Sequence, residues 1–165
     1  MDSQHLAAAI KELPARGGIA RGLGRSYGDP AQCAGGRVLR LVPRGDEITI
    51  DSAAGTATVG AGVSIDDLLR VLVPRGWFVP VTPGTRFVTI GGAVASDIHG
   101  KNHQRDGSIG SRVTAIRMML ADTTIVDVGP GRDPDLFWAT VGGMGLTGVT
   151  LDVTLQLIPI ETSRI

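Results

Sequence analysis

The chain has 165 residues, of which 42% are hydrophobic and 19% charged. That composition fits one folded domain and excludes a disordered tail or a coiled coil. Lysine plus arginine and aspartate plus glutamate number 16 each, and a chain without a basic excess is a poor nucleic-acid binder. The 24 glycines are about twice the ~7% average, which predicts loops that turn tightly or approach a ligand closely.

The cysteine count and the N-terminal segment exclude further classes of protein. The single Cys33 excludes an internal disulfide and a cysteine-rich zinc site. Residues 1–18 have no apolar core of signal-peptide length, and no apolar stretch approaches the ~18 residues of a membrane span. We therefore expect a soluble protein with no membrane span.

The first half of the chain predicts two helices with strands between them. Leu6 and Ile10 recur at helical spacing, which predicts a helix over 3–13. Strands are predicted over 37–42, 47–51 and 56–60. Ser64, followed three residues later by an acid, predicts the capped start of a second helix. These elements form an α+β unit that we expect to end near residue 82.

The second half predicts two shorter helices and three strands. A short helix is predicted over 89–95, and another is predicted over 135–141. Strands are predicted over 112–120, 123–128 and 148–158. Helices and strands do not alternate as a parallel sheet requires, so the predicted fold class is α+β.

Two glycine-rich segments are candidates for binding an anion. Residues 22–29 (GLGRSYGD) follow a probable strand, and successive N–H groups in such a loop suit a pyrophosphate, with Arg21 or Arg25 adding charge. Residues 89–92 (TIGG) begin a short helix whose free N–H groups would face an anion. Together they predict two walls of one cofactor cleft. The alternative is ordinary glycine turns beside solvated arginines.

Two further motifs carry weaker signals. Residues 143–148 (GMGLTG) match the GxGxxG of dinucleotide-binding folds, but here a helix precedes and a strand follows. We predict a tight helix-to-strand turn, with a ligand contact as an open alternative. Residues 96–103 (SDIHGKNH) hold the titratable cluster. His99 and His103 are four apart, yet Gly100 argues against a helical zinc pair, so a polar lining of a reaction site is favoured over a metal site.

Three segments, in this order, resemble one enzyme family. They are ARGLGRSYGD, FVPVTPGTRFVTIGGAVASDIHGKNH and FWATVGGMGLTGV. They resemble the FAD domain of vanillyl-alcohol-oxidase-type flavoproteins, in the branch that oxidises a polyprenyl-phosphate ribose. The resemblance covers about residues 7–158. It implies an α+β, PCMH-type FAD-binding domain of two α+β subdomains, about 1–82 and 83–165, with FAD extended between them.

The resemblance also implies cofactor contacts on both walls of the cleft. The implied contacts are Ala20, Arg21, Gly22, Leu23, Gly24, Arg25, Ser26, Tyr27, Gly28, Asp29, Gly84, Thr89, Ile90, Gly91, Gly92, Ser96, Asp97, Ile98, His99 and Val149. Some relatives attach FAD covalently through a histidine in the first glycine loop. Tyr27 stands at that place, so the implied FAD is non-covalent.

A reaction and partners are implied as well. The family oxidises the ribose 2-hydroxyl of decaprenylphosphoryl-ribose to a ketone, with hydride passing to flavin N5. A separate NADH-dependent ketoreductase then completes the epimerisation to arabinose. Tyr27, His99 and Lys101 are the substrate-face candidates, because an extended chain would point His99 and Lys101 the same way. The implied setting is arabinan synthesis at the cell envelope, in the cytoplasm, at the membrane periphery or in the periplasm.

Departures from the family leave alternatives open. The family's substrate domain, with a catalytic lysine and a reactive cysteine, is not within these 165 residues. We therefore expect the FAD-binding part of a larger enzyme, with the main base outside this chain. A related sugar-lactone or alditol oxidase of the same fold is one alternative. A non-catalytic FAD-binding module, or half of a split enzyme, is another.

Overall fold

A computed structural model of the chain describes residues 3–43, 45 and 47–162. The helices are α1 Ser3–Lys11, α2 Ile65–Leu72, α3 Ile90–Ala95, α4 His103–Asp106 and α5 Pro134–Thr140. The strands are β1 Gly18–Arg21, β2 Arg37–Arg40, β3 Ile48–Asp51, β4 Thr56–Gly60, β5 Trp77–Phe78, β6 Val113–Met119, β7 Ile125–Val128, β8 Val149–Gln156 and β9 Ile158–Pro159. Within these ranges no helix combines the length and the apolar character that crossing a membrane requires.

A five-stranded antiparallel sheet forms the centre of the fold, in the order β3-β4-β8-β6-β7. Its longest strand, β8, lies in the middle, where Val153 is flanked by Val59 of β4 and Ile116 of β6. All three side chains are fully buried, and such cross-strand pairs stabilise a sheet. An antiparallel sheet whose strands do not alternate regularly with helices confirms the predicted α+β class.

Two apolar clusters hold the elements together. The larger cluster packs Leu68 of α2, Val94 of α3 and Phe137 of α5 against the sheet. The smaller cluster packs Leu6 of α1 and Leu39 of β2 against two residues of the five-stranded sheet, Met119 of β6 and Val149 of β8. The parallel pair β1-β2 and α1 are therefore attached to the sheet through this second cluster.

The boundary expected near residue 82 does not coincide with a break in the structure. β3 and β4 precede it and yet share a sheet with β8, which follows it. Similarly, Trp77 of β5 pairs with Pro159 of β9. Local patterns could not show this, because the partners are far apart in the sequence: Thr58 of β4 and Thr154 of β8, for example, are separated by 96 residues.

Local signals did predict where the helices begin. Ser64 Oγ accepts a hydrogen bond from Asp67 N at 3.0 Å and caps α2. Thr89 Oγ1 accepts one from Gly92 N at 3.2 Å and caps α3. The strand predicted over 56–60 has those bounds. The short α4, β5 and β9 were not predicted, because two to four residues carry too little periodic signal.

Candidate functional site

Three glycine-bearing segments, far apart in the sequence, meet at one open cleft of about 610 Å³, mouth included. They are the loop after β1, the beginning of α3 and the turn between α5 and β8. The cleft is lined by Ala20, Arg21, Gly22, Ser26, Pro30, Ala31, Leu41, Ala61, Thr89, Gly91, Gly92, Ala95, Ser96, Met144, Gly145, Gly148 and Thr150. The two predicted walls therefore do lie together, and the GMGLTG turn adds a third.

The first glycine loop packs tightly against the start of α3. A β-carbon built on Gly22 would overlap the side chain of Thr89, which is only 3% exposed. Gly24 adopts the left-handed conformation, with φ of 68°. A β-carbon there would lie 2.5 Å from Nη2 of Arg21, so the Arg21 guanidinium lies directly on this loop. Gly22 is thus required by the close approach of Thr89, and Gly24 by a left-handed turn beside the Arg21 guanidinium.

The amide N–H groups of this loop are available for a ligand. Within the described ranges, the amides of residues 22–28 donate to no protein acceptor. Residues 22 and 26 line the cleft, as does the cationic Arg21. Consecutive backbone donors beside an arginine form a suitable site for a pyrophosphate.

The N-terminus of α3 contributes differently from what the sequence predicted. Ile90 N donates to Val63 O at 2.8 Å and Gly91 N to Ala61 O at 2.9 Å. Gly92 N is taken by the Thr89 side chain. The expected free N–H groups are therefore already bonded within the protein. Gly91 and Gly92 instead give the cleft a wall without side chains.

The third wall is the turn between α5 and β8, which confirms the predicted helix-to-strand turn. Gly142 N donates to Val94 O at 3.0 Å, and Met144 N donates to Ala95 O at 2.8 Å. These bonds hold the turn against the end of α3. Met144 and Gly145 both have left-handed φ, of 53° and 78°, and both line the cleft.

The segment 97–103 leaves the cleft at Ser96 and folds back on itself. His99 forms an isolated backbone bridge with Ser108, and its ring meets the ring of His103 edge to face, with centroids 5.3 Å apart. The chain then turns at Lys101 into α4. The extended conformation assumed for His99 to Lys101 therefore ends before Lys101.

The implied cofactor contacts fall into three groups. Those that line the cleft are Ala20, Arg21, Gly22, Ser26, Thr89, Gly91, Gly92 and Ser96. Those on the exposed part of the first loop are Leu23, Gly24, Arg25, Tyr27, Gly28 and Asp29. Those outside the cleft lining are Gly84, Ile90, Asp97, Ile98, His99 and Val149.

Most members of the third group have structural partners. Ile90 and Ile98 pack in or against the larger cluster, and Val149 packs in the smaller one. The Asp97 carboxylate accepts a hydrogen bond from Gly110 N at 2.9 Å. Gly84 is exposed, and nothing lies within 4 Å of a β-carbon built there.

The three candidates for the substrate face do not line the cleft. Tyr27 is fully exposed, and His99 and Lys101 are exposed as well. Sequence reasoning also missed several lining residues, namely Pro30, Ala31, Leu41, Ala61, Ala95 and Thr150. Their side chains are small or apolar, so no chemical signal in the sequence marks them.

A second cavity adjoins the cleft and shares Leu41, Ala61 and Thr150 with it. It is open, about 670 Å³ with its mouth, and its polar side chains include Glu47, Arg117 and Asp152. The two cavities therefore adjoin at these three residues.

Comparisons with known proteins agree with this geometry. Residues 2–129 match the family model described as FAD binding domain. The chain is 50% identical over 90% of its length to decaprenylphosphoryl-beta-D-ribose oxidase of Mycolicibacterium smegmatis, covering 32% of that protein. It is 30% identical over 94% of its length to an alditol oxidase of a Streptomyces species, covering 38%. It is also 30% identical over 86% of its length to mouse L-gulonolactone oxidase, covering 33%. The chain thus spans about a third of these relatives.

Proposed function

The chain belongs to the FAD-binding domain family, and on that premise we propose that it is the cofactor-binding part of a flavin-dependent sugar-alcohol oxidase. The proposed substrate class is a polyprenyl-phosphate ribose, oxidised at its 2-hydroxyl. The relative with 50% identity, a decaprenylphosphoryl-ribose oxidase, supports this class over the alditol and lactone oxidases at 30%. Bound FAD would supply the two-electron acceptor that no side chain provides.

The observation that carries the proposal is the convergence of three glycine segments on one cleft. FAD has a pyrophosphate in its middle, and the donor-rich loop 22–28 with Arg21 is the anion-binding wall. Gly91 and Gly92 would let the cofactor approach α3 closely. The adjoining cavity with Glu47 and Asp152 provides the additional length that a dinucleotide needs.

We propose that the FAD is held without a covalent bond. The first glycine loop carries Tyr27 and no histidine, and the Tyr27 side chain is fully exposed. Acid precipitation of the FAD-loaded protein should release all flavin into the supernatant. Flavin that stays with the precipitated protein would contradict this part of the proposal.

The substrate face is proposed to include Tyr27, His99 and Lys101. Tyr27 follows the donor-rich loop, and His99 lies three residues after the cleft residue Ser96, at most about 10 Å along the chain. The ammonium of Lys101 is exposed at a turn and suits a phosphate. The tyrosine phenol and the imidazole can each hydrogen-bond a sugar hydroxyl. The remaining cofactor contacts implied by the resemblance, including Gly84, are proposals of the same kind.

Fluorescence titration with FAD tests the function directly. The purified chain should bind FAD with saturable quenching of flavin fluorescence and become yellow. Titration to about 100 μM would allow for the modest affinity of a domain that covers a third of its relatives. A chain that is folded by circular dichroism and shows no quenching at that concentration would contradict the proposal.

Two substitutions in the α5-β8 turn provide a matched pair. Met144 lines the cleft and Leu146, two residues later, does not, although both are exposed. Met144→Glu places a negative charge near the proposed pyrophosphate and should weaken FAD binding about tenfold or more. Leu146→Glu should change it less than about threefold. Equal effects of the two variants would contradict the assignment of the cleft.

We propose the partners and the cellular setting from the similarity to the decaprenylphosphoryl-ribose oxidase. A ketone product would require a separate NADH-dependent ketoreductase to complete the epimerisation, and a polyprenyl substrate would place the enzyme at the cell envelope. Incubating an extended homologous enzyme with a polyprenyl-phosphate ribose and a redox dye should reduce the dye. Dye reduction with alditols alone would favour the alditol oxidase alternative.

A further inference from the structure

We infer that Asn102 is a positioning residue that fixes the segment bearing His99 and Lys101 beside the cleft. The inference rests on the proposed function, in which His99 and Lys101 face the substrate. It concerns a residue outside the cleft that has no contact with the proposed cofactor site. Its evidence is the set of hydrogen bonds around the turn 100–106.

The amide of Asn102 joins two parts of the chain. Asn102 Nδ2 donates to Pro80 O at 2.9 Å and to Asp106 Oδ2 at 2.7 Å. The first bond spans 22 residues and ties the turn to the segment after β5. The second holds the end of α4. One side chain therefore uses both of its amide hydrogens to anchor the turn that follows Lys101.

The backbone of this segment packs closely against residues 80–82. A β-carbon built on Gly100 would overlap the carbonyl oxygen of Thr82. The Gly100 carbonyl in turn lies 3.1 Å from His103 Nδ1, and the His103 ring contacts His99. The connection from Pro80 to Thr82 is therefore the surface on which the segment rests, and Asn102 is the polar link to that surface.

Asp106 completes the anchor through charge. Arg105 donates to its carboxylate at 2.9 Å, and Arg112 approaches it at 3.5 Å. These partners and Asn102 hold the pKa of the Asp106 carboxyl below its usual value, with the Arg105 hydrogen bond as the largest cause. The acceptor of the Asn102 amide is therefore ionised at neutral pH, which strengthens that hydrogen bond.

The anchored segment continues directly from the cleft. Ser96 lines the cleft and caps the end of α3. Asp97 follows with φ of 41° and is held by Gly110 N. His99 is then fixed on one side by the Ser108 bridge. Only the exit toward Lys101 needs an additional anchor, and Asn102 supplies it.

The test measures amide hydrogen exchange by mass spectrometry on the full chain without FAD. Asn102→Ala should increase the exchange rate over residues 98–103 about tenfold, which corresponds to losing one to two hydrogen bonds. Gln104→Ala is the matched control, because Gln104 is an exposed neighbour on α4. Equal exchange in both variants would overturn the inference. The urea midpoint should stay close to that of the parent chain, which shows that the effect is local.

An exchanged pair separates the two hydrogen bonds. Asn102→Asp combined with Asp106→Asn restores an amide–carboxylate bond within α4, but a carboxylate at 102 cannot donate to Pro80 O. The inference predicts that residues 98–103 stay unprotected in this double variant. Full recovery of protection would show that only the bond between the side chains at positions 102 and 106 matters, and it would overturn the role of the Pro80 bond.

A spectroscopic measurement with FAD connects the anchor to the site. Asn102→Ala should leave the FAD dissociation constant within about threefold, since the donor-rich loop is unchanged. It should alter the visible circular dichroism of the bound flavin, because the segment at His99 loosens, whereas Gln104→Ala should not. An unchanged flavin spectrum in Asn102→Ala would overturn the positioning role. If the parent chain binds no FAD, the proposed function fails, and the exchange experiment still decides whether Asn102 anchors the segment.

Discussion

The first glycine loop and the start of α3 both line the cleft, yet glycine serves different ends in them. In the loop, the amides of residues 22–28 have no protein acceptor within the described ranges, and Arg21 lies over Gly24. At α3, the amides of Ile90 and Gly91 are bonded to carbonyls of the connection between β4 and α2. One wall offers hydrogen-bond donors, and the other offers space.

The difference shows that a glycine-rich helix start need not be an anion site. The N-terminal amides of a helix attract anions only where they are free. At α3 the residues Ala61 and Val63 have taken them, which anchors the helix to the core instead. Variants on the α3 wall should therefore affect folding first. Variants of the loop should affect FAD binding first.

The largest expected effect is on the α3 wall. Gly91→Ala would bring a β-carbon within 2.8 Å of Ala61 Cβ and 3.1 Å of Ala61 O. We expect the free energy of unfolding to fall by about 2 kcal/mol, because overpacking outweighs the helix propensity that alanine gains. Urea unfolding measures the change. The double variant Gly91→Ala, Ala61→Gly should recover most of it, and no recovery would mean that the contact is not the cause.

The next effect belongs to the loop and concerns affinity rather than stability. Arg21→Gln removes the cation that lines the cleft and should weaken FAD binding about tenfold, with a shallower dependence on salt. Arg25→Gln, on the exposed part of the same loop, is the control and should lose less than about threefold. Both variants should unfold at the parent urea concentration. A larger loss at Arg25 would reverse the assignment of the two arginines.

A smaller effect is expected at the α3 cap. Thr89→Val keeps the shape of the side chain but removes the acceptor of Gly92 N. The unfolding free energy should fall by about 1 kcal/mol. Thr89→Ser retains the oxygen and is the control. If FAD affinity in Thr89→Val falls more than the stability change explains, the α3 wall would also bind the cofactor through Thr89.

The helix caps and the individual strands could be predicted because their signals are local. Ser64 marks the start of α2 by itself, and β4 lies between clear turn signals. The sheet order could not be predicted, since it depends on β8 pairing with β4 and β6. The same pairing joins strands on both sides of residue 82 in one sheet.

The cleft was predictable only in part for a related reason. Glycine runs and Arg21 carry a visible signal, and so they indicated two of its walls. The bonding of the α3 amides depends on Ala61 and Val63, which are about 30 residues away and carry no chemical mark. The anchor at Asn102 was missed in the same way, because its acceptor Pro80 O is a backbone atom.

The smallest expected effect concerns acid stability at α4, next to the proposed substrate face. The pKa of Asp106 is lowered mainly by the hydrogen bond from Arg105. Because the folded pKa lies below the unfolded one, this carboxylate stabilises the fold above a pH of about 3.9. That contribution is lost as the pH falls through the lowered folded pKa. Arg105→Gln should therefore lower the urea midpoint slightly at pH 6, and the difference from the parent chain should shrink as the pH falls below about 3.9.

The difference should be small even at pH 6, because the Arg105 side chain is 85% exposed and water screens the pair. Gln104→Ala, without a charge, should show no pH-dependent difference and serves as the control. Asn102→Ala should follow the same pH trend as Arg105→Gln, because Asn102 is the second cause of the lowered pKa. A difference between Arg105→Gln and the parent chain that persists or grows in acid would mean that Arg105 acts through contacts other than the Asp106 carboxylate.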